Sequence, residues 1–216
     1  MKTIGAFLFA AFVAGGGWFG WTQYKSSEER ALATDTVQVS VTQTQRQLKA
    51  RKEKGITFGE YLKSSAAAIE QLDASISKLE AHSWQYHPSD RDVAVNFLEQ
   101  CKVMVRSDQA ETRLLMEESN ARKQLDQARK ELDEADTPEA IDWRLKRYSR
   151  ASDELVAVMQ KQIEVIKEST GKIEQLIAAD DSVKMAFGKD QGFADTTIES
   201  MKKYITSERP KKADNG

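Results

Sequence analysis

Apolar residues are distributed along this chain in two distinct patterns. From Ile4 to Trp21 every residue is apolar or glycine. Beyond Trp21, apolar residues return every third or fourth position. After Thr57 they fall at Phe58, Leu62, Ile69, Leu72, Ile76 and Leu79, with Ser65 at the missing step. After Pro138 the positions run Ile141, Leu145, Tyr148, Ser152 (a polar step), Leu155, Met159, Ile163 (or Gln162), Ile166, Ile173 and Leu176. Alternating steps of four and three are the seam of a coiled coil. From 91 to 135 the seam is thinner: Val93, Phe97, Cys101 and Met104, then Leu115, Leu125 and Leu132. Asp108 interrupts it and is expected to face outward, because a straight helix drifts against a seven-residue repeat. Val37, Val39 and Val41 alternate as a strand would. A lone strand has no partner, so the spacing predicts helix there too.

Helix stops and starts lie between these stretches. Lys52 and Lys54 precede Gly55, which is a helix end. Thr57 with Glu60 is a capping box. Pro88 sits in a loop from which Ser89 or Asp90 can cap the next helix. Thr137 followed by Pro138 and Glu139 is an N-cap with proline in the first turn. At 1.5 Å per residue, helices over 91–135 and 138–180 each span roughly 65 Å. The short link between them forces an antiparallel hairpin. Leu132 is expected near Ile141, and Leu125 near Tyr148. Two helices of roughly 40 Å precede Pro88 and would cover part of that hairpin. The fold class expected is therefore all-α, an elongated antiparallel bundle of coiled-coil hairpins.

The apolar run before Trp21 changes where that bundle sits. About 18 uncharged residues approach the minimum needed to span a bilayer core. Trp18, Phe19, Trp21 and Tyr24 then form an aromatic belt of the kind found at a membrane interface. The expected division is an N-terminal signal anchor over 1–22, a helical bundle ectodomain over 23–206 and a disordered basic tail over 207–216. The expected location is the inner (cytoplasmic) membrane, single-pass, with the body exported. Secretion after cleavage near Gly16 is the alternative, because Ala14, Gly15 and Gly16 suit a signal peptidase.

Composition narrows the chemistry. The net charge of −2 gives no field for nucleic acid, and a single cysteine excludes a disulfide framework within the chain. Phosphate-loop, nucleophile-elbow, zinc-protease and dithiol motifs are all missing from the sequence, so neither catalytic residues, metal ligands nor a cofactor are expected. His82, His87, Asp90 and Asp92 match no zinc spacing and are read as loop residues. Cys101 lies on an apolar stripe and is read as a buried, inert thiol.

The function expected is a non-enzymatic, membrane-anchored scaffold of the cell envelope, acting through coiled-coil contacts. Its partners would be the membrane and either another protein or a weak homodimer. Candidate contact residues are Leu114, Leu115 and Met116 on the interrupted helix, and Trp84 and Tyr86 in the loop before Pro88. Two other architectures resemble this layout. One is the four-helix periplasmic sensor domain of chemoreceptors, here lacking a second membrane helix. The other is the spanin type of envelope lysis protein. Neither resemblance rests on a residue motif.

Overall fold

The computed structural model describes residues 2–51 and 55–208, with residues 2–20 and 208 described as backbone only. Five helices make up the fold: α1 (Lys2–Ala50), α2 (Phe58–Ala81), α3 (Pro88–Asp133), α4 (Pro138–Phe187) and α5 (Asp195–Glu208). The described residues contain no strand, and Val37–Val41 lie inside α1. α1 runs unbroken from Lys2, so position 22 marks no break in the backbone. Among the described residues no helix is long and apolar enough to cross a membrane. The side chains of the apolar run through Gly20, Trp18 and Phe19 among them, lie outside the described residues, as do residues 209–216 of the tail.

Local signals set the helix ends. Thr57 accepts from the Glu60 N–H while Glu60 accepts from the Thr57 N–H, completing the box. Thr137 accepts from Ala140, with Pro138 opening α4. The cap expected from Ser89 or Asp90 is replaced. α3 starts at Pro88, His87 holds the cap position without a side-chain bond to the helix backbone, and a distant carboxylate serves the loop instead. α5 was not expected from the sequence. It follows Gly188 and Gly192, and its Ile198, Met201 and Ile205 are buried at helical spacing.

The helices build two unlike regions. Within the base, α1 and α2 pair as a hairpin and lie on the first half of α3, while the last part of α4 and α5 close the other side. Its core holds Val37, Leu72, Leu79, Phe97, Leu98, Leu176, Val183 and Phe193, all essentially sealed from solvent. Phe97 and Phe193 pack in a tilted pair with ring centroids 5.6 Å apart. Beyond Glu111 α3 and α4 continue as an antiparallel pair roughly 35 Å long, with the start of α2 and the loop before it reaching only as far as Leu115 and Met116. This arm buries small residues: Ala121, Ala128, Ala151 and Val158.

The arm corrects the expected register. Arg144 donates to the Glu131 carbonyl, and Gln162 donates to Glu118 at 2.8 Å and to the Leu114 carbonyl at 3.4 Å. The pairing is therefore about one helical turn away from the one that sets Leu132 beside Ile141 and Leu125 beside Tyr148. The α4 seam is Tyr148, Ala151, Leu155 and Val158, whereas Ile141, Leu145, Met159 and Ile163 are exposed. α4 carries two adjoining apolar rows. The row containing Ala151 meets Ala121 and Ala128, since small residues let two helices approach closely.

Candidate interaction surface

Eight of the fourteen exposed large apolar side chains among the described residues lie on the arm; Trp21, Tyr24, Val39, Ile56, Tyr86 and Met185 lie elsewhere. A pair of helices offers each seam residue one neighbouring helix, so only small residues can be fully enclosed. Leu114 lies half-buried on the α3 seam, whereas Leu115 and Met116 are exposed beside it. On α4, Ile141, Trp143, Leu145, Val156, Met159 and Ile163 are exposed. Trp143 is covered on one face by Arg147, whose guanidinium lies 5.9 Å from the ring centroid. Leu115 and Met116 also wall an open groove of about 290 Å³ shared with Ile56, Phe58 and Tyr61.

A polar joint separates arm from base, and it overturns the outward placement of Asp108. Asp108 is buried. Arg51 donates to it at 2.6 Å and to Glu111 at 2.8 Å, and the Tyr61 hydroxyl donates to its other oxygen. Ser169 on α4 donates to Glu111 at 2.7 Å and shares a hydrogen bond with Ser107. Burial alone would lower the Arg51 pKa, but its bonds to Glu111 and Asp108 hold it above its ordinary value. Burial and the Asp108 contact both raise the Tyr61 phenol. The joint thus ties the end of α1 to α2, α3 and α4 at one level.

At the opposite end of the base, the aromatics singled out in the sequence come together. Trp21 and Tyr24 are both more than half exposed, with ring centroids 6.4 Å apart. The Lys25 ammonium sits 5.4 Å from the Trp21 ring centroid. Trp21, Lys25, His82 and Tyr86 line an open cavity of about 330 Å³. Trp84 is used differently from Tyr86. Its indole N–H donates to the Leu79 carbonyl at 2.6 Å and its ring meets His82 edge-on, so it closes the end of α2. Tyr86 remains exposed.

Glu29 organises this end, and sequence reasoning missed it. It is buried and accepts from the backbone N–H groups of Gln85, Tyr86 and His87 at 2.8–2.9 Å. Burial would raise its pKa, but these three donors hold it below the ordinary carboxylate value. No local pattern marks such a residue, because its partners lie more than fifty positions away. His87 bonds Ser26 at 2.7 Å and stands 3.7 Å from Asp90.

The remaining reactive groups serve packing. Cys101 is sealed in the core, where burial pushes its thiol up to about 12. Among the described residues no three His, Cys, Asp or Glu side chains converge as a metal site. Asp180 is fully buried. It accepts from the Phe193 N–H at 2.6 Å and pairs with Lys184 at 3.0 Å, locking the turn into α5. No family model, curated protein sequence or solved structure matches the chain.

Proposed function

We propose that this chain is a membrane-anchored, non-enzymatic scaffold of the cell envelope, whose bundle is a pedestal for a coiled-coil arm that contacts protein. The observation that carries this reading is the concentration on the arm of more than half of the exposed large apolar residues. Eight of them lie on the arm: Leu115, Met116, Ile141, Trp143, Leu145, Val156, Met159 and Ile163. Ile141, Leu145, Val156, Met159 and Ile163 share one face of α4, and an apolar face of this kind marks a site of protein contact. The groups with reactive chemistry support the non-enzymatic part, since Cys101, Asp108 and Asp180 are engaged inside the fold.

The anchor rests on the apolar run from Ile4 to Trp21 and on its continuity with α1. Trp21 and Tyr24 would then sit at the bilayer interface, with Tyr86 beside them. α1 and α3 run parallel, because Glu29 meets the residues before Pro88 and Arg51 meets Asp108. The arm tip would consequently stand roughly 80 Å from Trp21.

Carbonate washing of membranes, followed by N-terminal sequencing of the retained chain, tests the anchor. The expected product stays in the pellet and begins at Met1 or Lys2. A protein released to the supernatant, or one beginning at Gly17, overturns the anchor and favours secretion after cleavage.

A further inference from the structure

The arm loses its lateral support near one level, and α3 and α4 are softest there. α1 ends at Ala50, α2 begins at Phe58 in the groove shared with Thr112, and the end of α5 comes level with Gly171 when counted from the Lys184–Asp195 pair. Gly171 is the only glycine within α3 or α4. A Cβ there would meet nothing within 4 Å, and the residue lies inside regular helix without a positive φ. Neither packing nor backbone conformation requires glycine at this position, yet glycine weakens a helix interior. Beside it the Thr170 hydroxyl donates to the Ile166 carbonyl at 3.2 Å, and across the pair the Thr112 hydroxyl donates to the Asp108 carbonyl at 2.8 Å. Back-bonds of this kind bend helices, and sharp kinks fall where glycine and serine come together, as Ser169 and Gly171 do.

We infer that the arm pivots on the base at this level, and that Glu111 is the latch that holds it straight. The two oxygens of Glu111 serve different helices. Oε2 accepts from Arg51, just past the end of α1, at 2.8 Å, and Oε1 accepts from Ser169 of α4 at 2.7 Å. Glu111 itself belongs to α3, so one carboxylate ties three helices across the soft level. Its side chain is 17% exposed, so water replaces either bond as the latch opens, and the net cost of opening is far below the strength of the bonds themselves. The base has no such freedom, because Phe97, Leu98, Leu176 and Val183 are enclosed on all sides.

A pivot has a measurable reach. Asp126 lies roughly 22 Å beyond Glu111 along α3, so a bend of about 20° carries it roughly 8 Å sideways. Above the pivot the pairing of α3 with α4 is kept by Arg144 on the Glu131 carbonyl and by Gln162 on Glu118. The arm therefore swings as a unit, and its exposed face on α4 turns with it. Swinging widens the range of positions from which that face can meet a partner. The pivot goes beyond the reading of the arm as the contact element, and it depends neither on the anchor nor on what covers the arm.

Double electron–electron resonance on the full-length chain tests it. Nitroxides at Glu70→Cys on α2 and Asp126→Cys on the arm, both exposed positions, measure base against arm. Nitroxides at Glu70→Cys and Glu199→Cys on α5 measure the base against itself. Cys101 is sealed and stays unlabelled. Glu111→Ala should broaden the base–arm distance distribution by several ångströms and leave the base–base one as it was. Ser169→Ala, which leaves Arg51 on Glu111, should broaden it less. Adding Gly171→Ala to either variant should narrow the base–arm distribution again, although the new methyl group touches nothing. A base–arm distribution indifferent to both Glu111→Ala and Ser169→Ala would overturn the inference. So would a broadening that Gly171→Ala does not reverse, which would put the bend elsewhere. Equal broadening of the base–base distribution would show general loosening and overturn it as well. A chain that swings as expected but leaves the membrane in carbonate would overturn the anchor alone.

Discussion

Base and arm are built from the same helices α3 and α4, yet they solve burial differently. In the base, each helix has at least two neighbours, and Phe97, Leu98, Leu176 and Val183 are completely enclosed. In the arm each helix has one neighbour. Complete enclosure is then reserved for Ala121 and Ala128, while Leu155 on the same seam is only half-buried. The number of neighbouring helices, not local hydrophobicity, decides which residues become core. The same leucine spacing gives a core in one half of α4 and an open surface in the other.

The sharpest way to break this comparison is to truncate one large side chain in each region. Phe97→Ala removes a ring enclosed by Phe193 and the surrounding aliphatics and should cost about 3–5 kcal/mol. Leu155→Ala should cost only about 1–2 kcal/mol, below the usual range for a core leucine, because water already reaches the site. Chemical denaturation of both variants checks it. Equal losses would mean that the arm is as well enclosed as the base.

The turn into α5 should be nearly as sensitive as the core. Gly192 has φ +86°, and a Cβ there would lie 2.3 Å from Asp180 Oδ1. Asp180 cannot yield easily, since it holds the Phe193 N–H and Lys184. Gly192→Ala should therefore cost about 2 kcal/mol or more, from strain at positive φ together with the clash. Loss of protection at Ile198, Met201 and Ile205 in hydrogen exchange would locate the damage. A thermal midpoint equal to that of the parent would show that the turn relaxes freely.

What could be read beforehand follows a physical division. Thr57 with Glu60, and Thr137 with Pro138, signal helix starts through contacts within three residues, so the sequence displays them directly. Asp108 and Glu29 were illegible because their partners, Arg51 and the loop before Pro88, lie far along the chain. The α3–α4 register was illegible for another reason. Two apolar rows side by side on α4 satisfy the same spacing rule, and only the fit of Ala151 against an alanine-lined α3 chooses between them. α5 did leave a signal in Ile198, Met201 and Ile205, but a single short row between glycines is a weak one.

Acid should loosen the end of the base that Glu29 holds. The folded carboxyl of Glu29 is held below its ordinary value by three backbone donors. Its contribution is thus fully present above the unfolded value, near 4.5, and is lost as pH falls through the folded one. Between pH 7 and 5 the stability from Glu29 should stay constant, then decline below about pH 4.5. Glu29→Gln keeps an acceptor but removes the charge, so it should be less stable at pH 7 and should flatten the acid limb. Parallel acid limbs for parent and variant would mean that other carboxylates dominate.

The smallest effect expected is on the arm surface, at Leu115. It is 48% exposed and off the seam, so a polar replacement gives up little buried area. Its helix propensity is close to that of lysine and of glutamate. The two replacements should still differ in sign, because Glu111 lies four residues before it and Glu118 three after. Lysine at 115 gains both acids as neighbours, whereas glutamate repels both, at about 0.2–0.5 kcal/mol per pair. Leu115→Lys should therefore leave the thermal midpoint equal to the parent's or slightly higher, and Leu115→Glu should lower it slightly, with the gap shrinking in high salt. Both substitutions remove an apolar group from the groove beside Ile56 and Phe58, so that loss cancels when they are compared with each other. A drop of several kcal/mol in either variant would mean that Leu115 is core after all, and the contrast between enclosed base and open arm would end at that position.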